Sequence, residues 1–289
     1  MKNNDAIIFL QNKYRKLRIC VIIMLLLLTA ALACVFFYRI AAFILLFIAL
    51  SYYLLFLKKK QQFYSDAVTE ANLSNTICPI LKTADVHRKD GNLIFAQTLK
   101  QAGLMPVKES KGSPLLCFGI SGTVDDLAVS VCDATIAQDF SLREKGRKRV
   151  HFNAGAWVHI DLPDNTHQRW CLLDETSVPT PIRMDYFSHK MNMRTAPVGN
   201  DIIGKRCVLY QPAEAKQPLQ SKVLHEIQKL IAYTPGYLAI SVNGDSVDFF
   251  IRGRFLSRPV SLSKAPTNDL IQFDPFPELS YLIKIARAI

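Results

Sequence analysis

The chain has 289 residues and a formal net charge of +11. Residues 1–60 hold nine Lys or Arg residues and one acid, Asp5, and so carry a net charge of +8. Residues 61–289 share the remaining +3. Because a nucleic-acid-binding domain carries clustered cations, this nearly neutral remainder argues against nucleic acid as a partner.

An apolar block runs from Ile19 to Leu57 and contains a single charge, Arg39. A bilayer core takes about 20 helical residues, so the block favours two spans, at about 19–38 and 40–57, with a tight turn near Arg39. Backbone groups in lipid must be paired internally, so we predict that both spans are helices. Cations precede the first span and follow the second, and the positive-inside rule then places both flanks in the cytoplasm.

Two other interpretations of the block predict export. A cleaved signal peptide has an apolar core of only about 7–15 residues, and this block is far longer. The string ALAC resembles a lipoprotein cleavage box, but Leu32 is bulky where a small residue is usual, and the residues after Cys34 are apolar. The two-helix hairpin over residues 19–57 is therefore the preferred prediction.

The rest of the chain divides into three predicted parts. Residues 1–18 form a basic cytosolic N-terminus, 58–111 a helical linker region, and 112–289 a cytosolic α+β domain. Within the linker region we predict a helix over 62–81, a polar linker at KTADVHRKDGN and a short helix at LIFAQTLKQA, which Pro106 ends.

Alternating polar and apolar residues predict antiparallel strands in the α+β domain. Two runs, SPLLCFGISGT and DLAVSVCDATIA, meet in a hairpin at Val124–Asp126. A third run, RVHFNAGAWVHIDL, is apolar at its even positions, which is typical of a half-buried strand, and Gly155 is predicted to mark a bulge or bend. QRWCLLDE is a fourth strand, and residues 175–203 are predicted to be irregular.

The C-terminal part continues the pattern. KRCVLYQ predicts a strand, and a helix with one apolar stripe begins near Pro218. YLAISVNGDSVDFFIRG predicts a hairpin with a type I′ turn at Asn243-Gly244, and LSYLIKIARAI an amphipathic helix. The sum is an α+β fold with an antiparallel sheet and a few packed helices, either one domain or two halves, 112–175 and 204–289.

No string in the domain predicts catalysis, a metal or a cofactor. GNDIIGKR has P-loop spacing, but Arg206 stands where Ser or Thr should hold magnesium, and a strand follows it instead of a helix. His151, His159 and Asp161 share one face of the third strand. One strand supplies at most two neighbouring metal ligands, so we interpret these three residues as a solvated polar face.

Five residues are candidates for contact with partners. Trp157 and His159 lie on the polar face of the third strand, where Trp157 indicates either a surface for a protein partner or a helix or loop that covers the face. Arg147, Lys148 and Arg149 form a basic tip before the same strand, which is predicted to be solvated or to contact anionic lipid headgroups.

The seven cysteines are widely spread, with no C-x-x-C pair. This pattern is typical of reduced thiols in a cytosolic domain. Cys117 and Cys132 could face each other across the first hairpin, so a disulfide between them stays open as an alternative.

Several segments in this order resemble the domain-of-unknown-function family 3137. They are the apolar hairpin, QAGLMP, SGTVDDLAVSVCDA, VHFNAGAWVHIDLP, KRCVLYQPAEAKQPL, YLAISVNGDSVDFFI and FDPF. Ala156-Trp157 departs from the family's bulky apolar pair, and Gln-Pro follows Tyr210 where a polar, acidic start is usual. The resemblance implies a bacterial inner-membrane protein with two N-terminal spans and a cytosolic α+β region. It implies no reaction, so no catalytic residue is transferred.

Three hypotheses for function follow. The first is a membrane-anchored, non-enzymatic cytosolic protein that binds a protein partner. The second is an accessory subunit of a larger inner-membrane complex. The third is a membrane-tethered enzyme whose site includes His159, Asp161 and Cys171.

Overall fold

The computed structural model describes residues 3–88, 102, 104, 115–140, 149–163, 168–174, 187, 191–215, 218–257, 260 and 265–289. Their fold is α+β, as predicted. The chain divides into two compact units. The hairpin unit comprises Met1–Pro79 and Ser257–Pro275, and the sheet unit comprises Ile80–Leu256 and Phe276–Ile289.

Two long helices form the hairpin unit. Helix α1 spans Asn3–Phe37, the chain reverses at Tyr38, and α2 spans Arg39–Tyr52. A π-helical turn, Tyr53–Leu57, leads without a break into α3, Lys58–Thr76. Helix α1 and the continuous helical segment Arg39–Thr76 are each long and apolar enough to cross a membrane. The predicted pair of helices and the turn near Arg39 are therefore confirmed.

The helices run past the predicted borders of the apolar block. The chain has no Gly or Pro before Pro79, so nothing in residues 3–76 interrupts helix propagation on either side of the turn. Within the predicted basic N-terminus, 1–18, the residues from Asn3 onward are the first part of α1. Beyond the apolar block, α1 packs against α3 around one buried cluster: Ala6, Leu10, Tyr14, Leu17, Leu57, Tyr64, Ala67, Val68 and Ile271.

A segment from the C-terminal part of the chain completes the hairpin unit. This strap, Ser257–Pro275, contains the short helix α6, Asn268–Gln272, which packs against α1 and α3. Its Ile271 is buried, and Asn72 Nδ2 donates a hydrogen bond of 2.8 Å to the carbonyl of Leu270. The predicted domain 112–289 is therefore interrupted by the strap.

The sheet unit is built on one nine-stranded sheet in the order β1-β2-β3-β4-β9-β8-β5-β7-β6. All its pairs are antiparallel. The predicted halves 112–175 and 204–289 are not separate, because β4 pairs with β9. The strands are β1 Lys82–Arg88, β2 Leu115–Val124, β3 Leu127–Phe140, β4 Arg149–Asp161, β5 Trp170–Asp174, β6 Met193–Ala196, β7 Cys207–Pro212, β8 Leu238–Val242 and β9 Ser246–Arg252.

Both edge strands lie where no strand was predicted. Strand β1 occupies most of the predicted polar linker, and β6 lies within the predicted irregular region, 175–203. An edge strand has one neighbour and carries polar residues readily, so apolar periodicity does not mark it. The short helix predicted at LIFAQTLKQA lies outside the described residues apart from Ala102.

Three helices complete the sheet unit: α4 Asp201–Gly204, α5 Ser221–Tyr233 and α7 Leu279–Ala288. Helices α5 and α7 pack against each other and bury their predicted apolar stripes. The helix α5 begins three residues after Pro218, slightly later than predicted.

The two hairpin turns differ from each other. Asp125 and Asp126 both have positive φ, 45° and 71°, which is the pattern of a type I′ turn. In the second hairpin Asn243 pairs with Ser246 through a 2.9 Å hydrogen bond, and only Gly244 has positive φ, 85°. The predicted type I′ turn is therefore wrong, since glycine at the first of two central positions is the II′ pattern.

Truncating the strap side chain tests its contribution to the hairpin unit. Ile271→Ala should lower the free energy of opening of α3 by about 2–5 kcal/mol, because it leaves a cavity among α1 and α3 side chains. Hydrogen–deuterium exchange of α3 amides in the full chain measures this. Ile202→Ala, at a residue 56% exposed on α4, is the control and should leave the exchange unchanged. Equal exchange in the two variants would contradict the strap's role.

Candidate functional site

Strand β4 is buried on both faces along its centre. Its even positions Ala156 and Val158 have no exposed area, and neither does Trp157 on the predicted polar face. Trp157 belongs to a core cluster with Phe250, Leu104 and Phe187. The prediction of a half-buried strand is therefore wrong at its centre, and Trp157 is not available to a partner because other parts of the chain cover it.

Gly155 is a point of close approach and not a bulge. The register between β3 and β4 continues through it without a shift. A Cβ atom at this position would lie 2.1 Å from the carbonyl oxygen of Ile251 on β9, so only glycine fits there. The predicted bulge is therefore wrong, and the β4–β9 pairing explains why this residue is glycine.

Asp248 is a buried carboxylate that joins β9 to β4. Its Oδ1 accepts hydrogen bonds from Trp157 Nε1 at 2.9 Å and from His159 Nδ1 at 2.8 Å. His159 Nε2 lies 3.1 Å from Oδ1 of Asp161. The exposed fraction of the side chain rises along this series, from 2% for Asp248 to 18% for His159 and 62% for Asp161. The network therefore leads from the core to solvent.

The charge of His159 follows from its two partners. Ionised carboxylates only accept hydrogen bonds, so the protonated ring, which donates from both nitrogens, suits the two carboxylates that face it. Burial lowers the pKa of His159, but the hydrogen bonds and charges of Asp248 and Asp161 outweigh burial and raise that pKa overall. Burial raises the pKa of Asp248, against the opposing effect of His159 and Trp157. Both ring nitrogens are thus occupied, and neither is available as a general base.

This network is part of a polar row that crosses all nine strands. Each member is the direct cross-strand partner of the next, so all side chains project from one face of the sheet. The adjacent row on that face, which includes Trp157 and Phe250, is apolar and belongs to the core. The polar row is, in sheet order, Asp85, Ser121, Ser130, His159, Asp248, Ser241, Cys171, Tyr210 and Thr195.

The buried half of the row holds a segment of chain against the sheet. The Ser241 hydroxyl donates a hydrogen bond of 2.7 Å to the carbonyl of Ala102, and its Oγ lies 3.2 Å from Cys171 Sγ. Ala102 and Leu104 belong to the cluster that covers Trp157. Periodicity along one strand does not reveal such a row, because the signal lies in the register between strands.

Cys171 does not offer a nucleophile. Burial raises the pKa of its thiol to about 11, with Ser241 and Arg169 opposing that effect. At neutral pH the group is a thiol, whereas the thiolate is the reactive form. Asp248 and Ser241 separate His159 from Cys171 in the row, and three strand spacings place their backbones about 14 Å apart. His159 and Cys171 therefore lie in one row without contact, while Asp161, two residues further along β4, contacts His159.

Two residues of the string GNDIIGKR, Asn200 and Arg206, make structural hydrogen bonds. The Asn200 side chain accepts hydrogen bonds from the backbone N–H groups of Ile202 and Ile203 at the start of α4. The Arg206 Nε lies 2.8 Å from the buried Asp174, and its other nitrogens donate to carbonyls that follow or end α5, those of Ile231, Thr234 and Gly236. Sequence reasoning did not identify this role for Arg206.

Other predicted site residues lie beyond what the structure describes. Arg147 and Lys148 fall outside the described residues, and for Arg149 and His151 only the backbone is described. The same holds for Cys117, so the disulfide alternative is untested. Among described residues, no group of three or more His, Cys, Asp or Glu is placed to hold a metal ion.

The two carboxylates should contribute unequally to the charge of His159. Asp248→Asn removes the more buried charge and should lower the pKa of His159 below its value in the parent. Asp161→Asn is the matched control and should lower it less, because the exposed carboxylate is screened by water. Titration of the His159 ring signals by NMR in the full chain measures both, and equal effects would contradict the assignment of Asp248 as the main partner.

Stability should depend on pH through this network. Because the pKa of His159 is raised on folding, its contribution to stability is complete below about pH 6.5 and is lost as the pH rises through the folded-state pKa. The raised pKa of Asp248 acts in the same direction. The double variant His159→Gln/Asp248→Asn removes both groups and should therefore flatten the fall in unfolding temperature above pH 6.5, followed by tryptophan fluorescence. His225→Gln, at an exposed residue of α5, should leave the slope unchanged.

Comparisons with known proteins add no relative to this description. No protein-family model matches the chain, and no curated protein or solved structure matches it.

Proposed function

We propose that the chain is a membrane-anchored, non-enzymatic cytosolic protein that binds a protein partner through its sheet unit. The observation that carries this proposal is the apolar hairpin. Large apolar side chains on it are strongly exposed, for example Phe36 at 80%, Ile40 at 81% and Phe43 at 79%. Soluble proteins rarely expose such a contiguous apolar surface, and a bilayer would bury it.

The length of the hairpin supports two spans. From Ile19 to the turn at Tyr38, an α-helix rises about 28 Å, which matches a hydrocarbon core of about 30 Å. Cations cluster at the open end of the hairpin, and only Arg39 lies at the turn. By the positive-inside rule, we place both termini in the cytoplasm. That the membrane is the bacterial inner membrane is what the resemblance to the domain-of-unknown-function family 3137 implies.

The chemistry of the polar row supports binding over catalysis. Asp248 and Asp161 occupy both nitrogens of His159, and the buried Cys171 is a protonated thiol. These groups hold strands and a covering segment together. We therefore assign to the sheet unit the binding of a protein partner and not a reaction.

Two further statements remain proposals beside this one. The order of elements, two apolar helices followed by an antiparallel α+β unit, is the order that the resemblance to the domain-of-unknown-function family 3137 implies. The exposed hairpin helices favour, as a second candidate function, an accessory subunit that packs against other helices of a membrane complex.

Topology is tested by a reporter fused to the C-terminus of the full chain. A reporter active only in the cytoplasm should be active, and one active only in the periplasm should be silent. Deleting residues 39–57 leaves one span and should reverse both results, because one crossing places the C-terminus on the other side. A periplasmic signal from the full chain would contradict the proposed orientation.

The protein mass of the detergent-extracted chain tests whether it binds a protein partner. The full chain, extracted from its native membranes in mild detergent, should elute in a complex with more protein mass than the 32.6 kDa monomer. The same chain expressed alone in a foreign membrane is the control and should lose that added mass. Protein mass is measured by light scattering, and a monomer from native membranes would contradict the binding function.

A further inference from the structure

The cations at the open end of the hairpin form one band around it. Leu17 of α1 precedes the turn at Tyr38 by about 20 residues, and Leu57 follows it by about the same number, so the charged residues next to them lie at one level of the hairpin. Six of these residues, three from each helix, are exposed and are here called the basic collar: Arg15, Lys16, Arg18, Lys58, Lys59 and Lys60.

The collar is not neutralised by its surroundings. The sequence has no Asp or Glu from residue 6 to residue 65. No ion pair between described residues involves a collar cation. Neighbouring Lys13 is half-buried, and its Nζ lies 4.5 Å from the centre of the Phe9 ring, so it is not counted with the collar. The collar therefore presents unpaired positive charge.

Exposed apolar side chains adjoin the collar on both helices. On α1 they begin with Ile19, 58% exposed, and Ile22, 48% exposed. On the other helix Leu54, Leu55 and Phe56 are each at least 50% exposed. Positive charge beside an apolar surface matches a molecule with a phosphate at one end and acyl chains at the other. Nucleic acid or free phosphate would use only the charged part.

We propose that the basic collar binds the phosphate groups of anionic phospholipids, whose acyl chains lie along the apolar hairpin. This inference rests on the proposed membrane anchor. The collar itself contains no carboxylate that could pair with the ammonium group of a zwitterionic lipid. The collar should therefore prefer phosphatidylglycerol to phosphatidylcholine and give the hairpin an annulus of anionic lipid.

The test is native mass spectrometry of the full chain in detergent, titrated with phosphatidylglycerol or phosphatidylcholine. Because the measurement is made in detergent, its result does not depend on the orientation of the hairpin in a membrane. Each cation near an anionic lipid surface raises affinity about fivefold, so Lys58→Gln/Lys59→Gln/Lys60→Gln should lower the preference for phosphatidylglycerol about a hundredfold. Arg15→Gln/Lys16→Gln/Arg18→Gln should act in the same direction.

A matched control removes three exposed cations from the sheet unit, as Arg194→Gln/Lys205→Gln/Lys222→Gln, and should keep the preference. Equal binding of both lipids by the parent, an unchanged preference in the collar variants, or an equal loss in the control would each overturn the proposal. Displacement of lipid by inorganic phosphate, but not by chloride at equal ionic strength, would overturn it in favour of free phosphate. Carbonate extraction of native membranes tests the anchor separately: release of the chain would refute the anchor itself.

Discussion

The pairing of β4 with β9 is the constraint on which the sheet unit depends. It brings together residues about ninety positions apart, and its centre is the buried carboxylate of Asp248 with Trp157 and His159 as donors. An unpaired buried charge costs several kcal/mol, so this carboxylate favours the one register in which both donors reach it. Gly155 adds a steric condition at the same pairing, because no other residue allows β9 so close.

The strap depends on that sheet at both its ends. Where the chain leaves the sheet unit, the N–H of Leu256 donates to Asp133 at 2.6 Å. Where it returns, the fully buried Glu278 lies 2.5 Å from Arg254. These contacts fix the residues on either side of the strap. Part of the entropy cost of closing the strap as a loop is therefore already included when Ile271 packs in the hairpin unit.

Sequence patterns predicted helices and strands better than they predicted which residues surround each side chain. The hairpin, most strands and the stripes of α5 and α7 were predicted because each has its own apolar periodicity or length. Strand β1 was missed because an edge strand carries polar residues. Trp157 was placed on a polar face because alternation along one strand does not tell whether a distant segment covers that face. The polar row depends on register between nine strands, which no single stretch of sequence contains.

The hairpin unit has apolar side chains at its surface, and the sheet unit has polar side chains in its interior. The two units differ in what stabilises these side chains. The hairpin exposes apolar side chains on two helices that are long and apolar enough to cross a bilayer. The sheet unit buries Asp248 and Ser241, and half-buries His159, and provides partners for them by hydrogen bonds to one another, to Trp157 and to the carbonyl of Ala102. These internal hydrogen bonds stabilise the fold. The partners of the protein should therefore be found at its surfaces, first of all where the basic collar meets the hairpin.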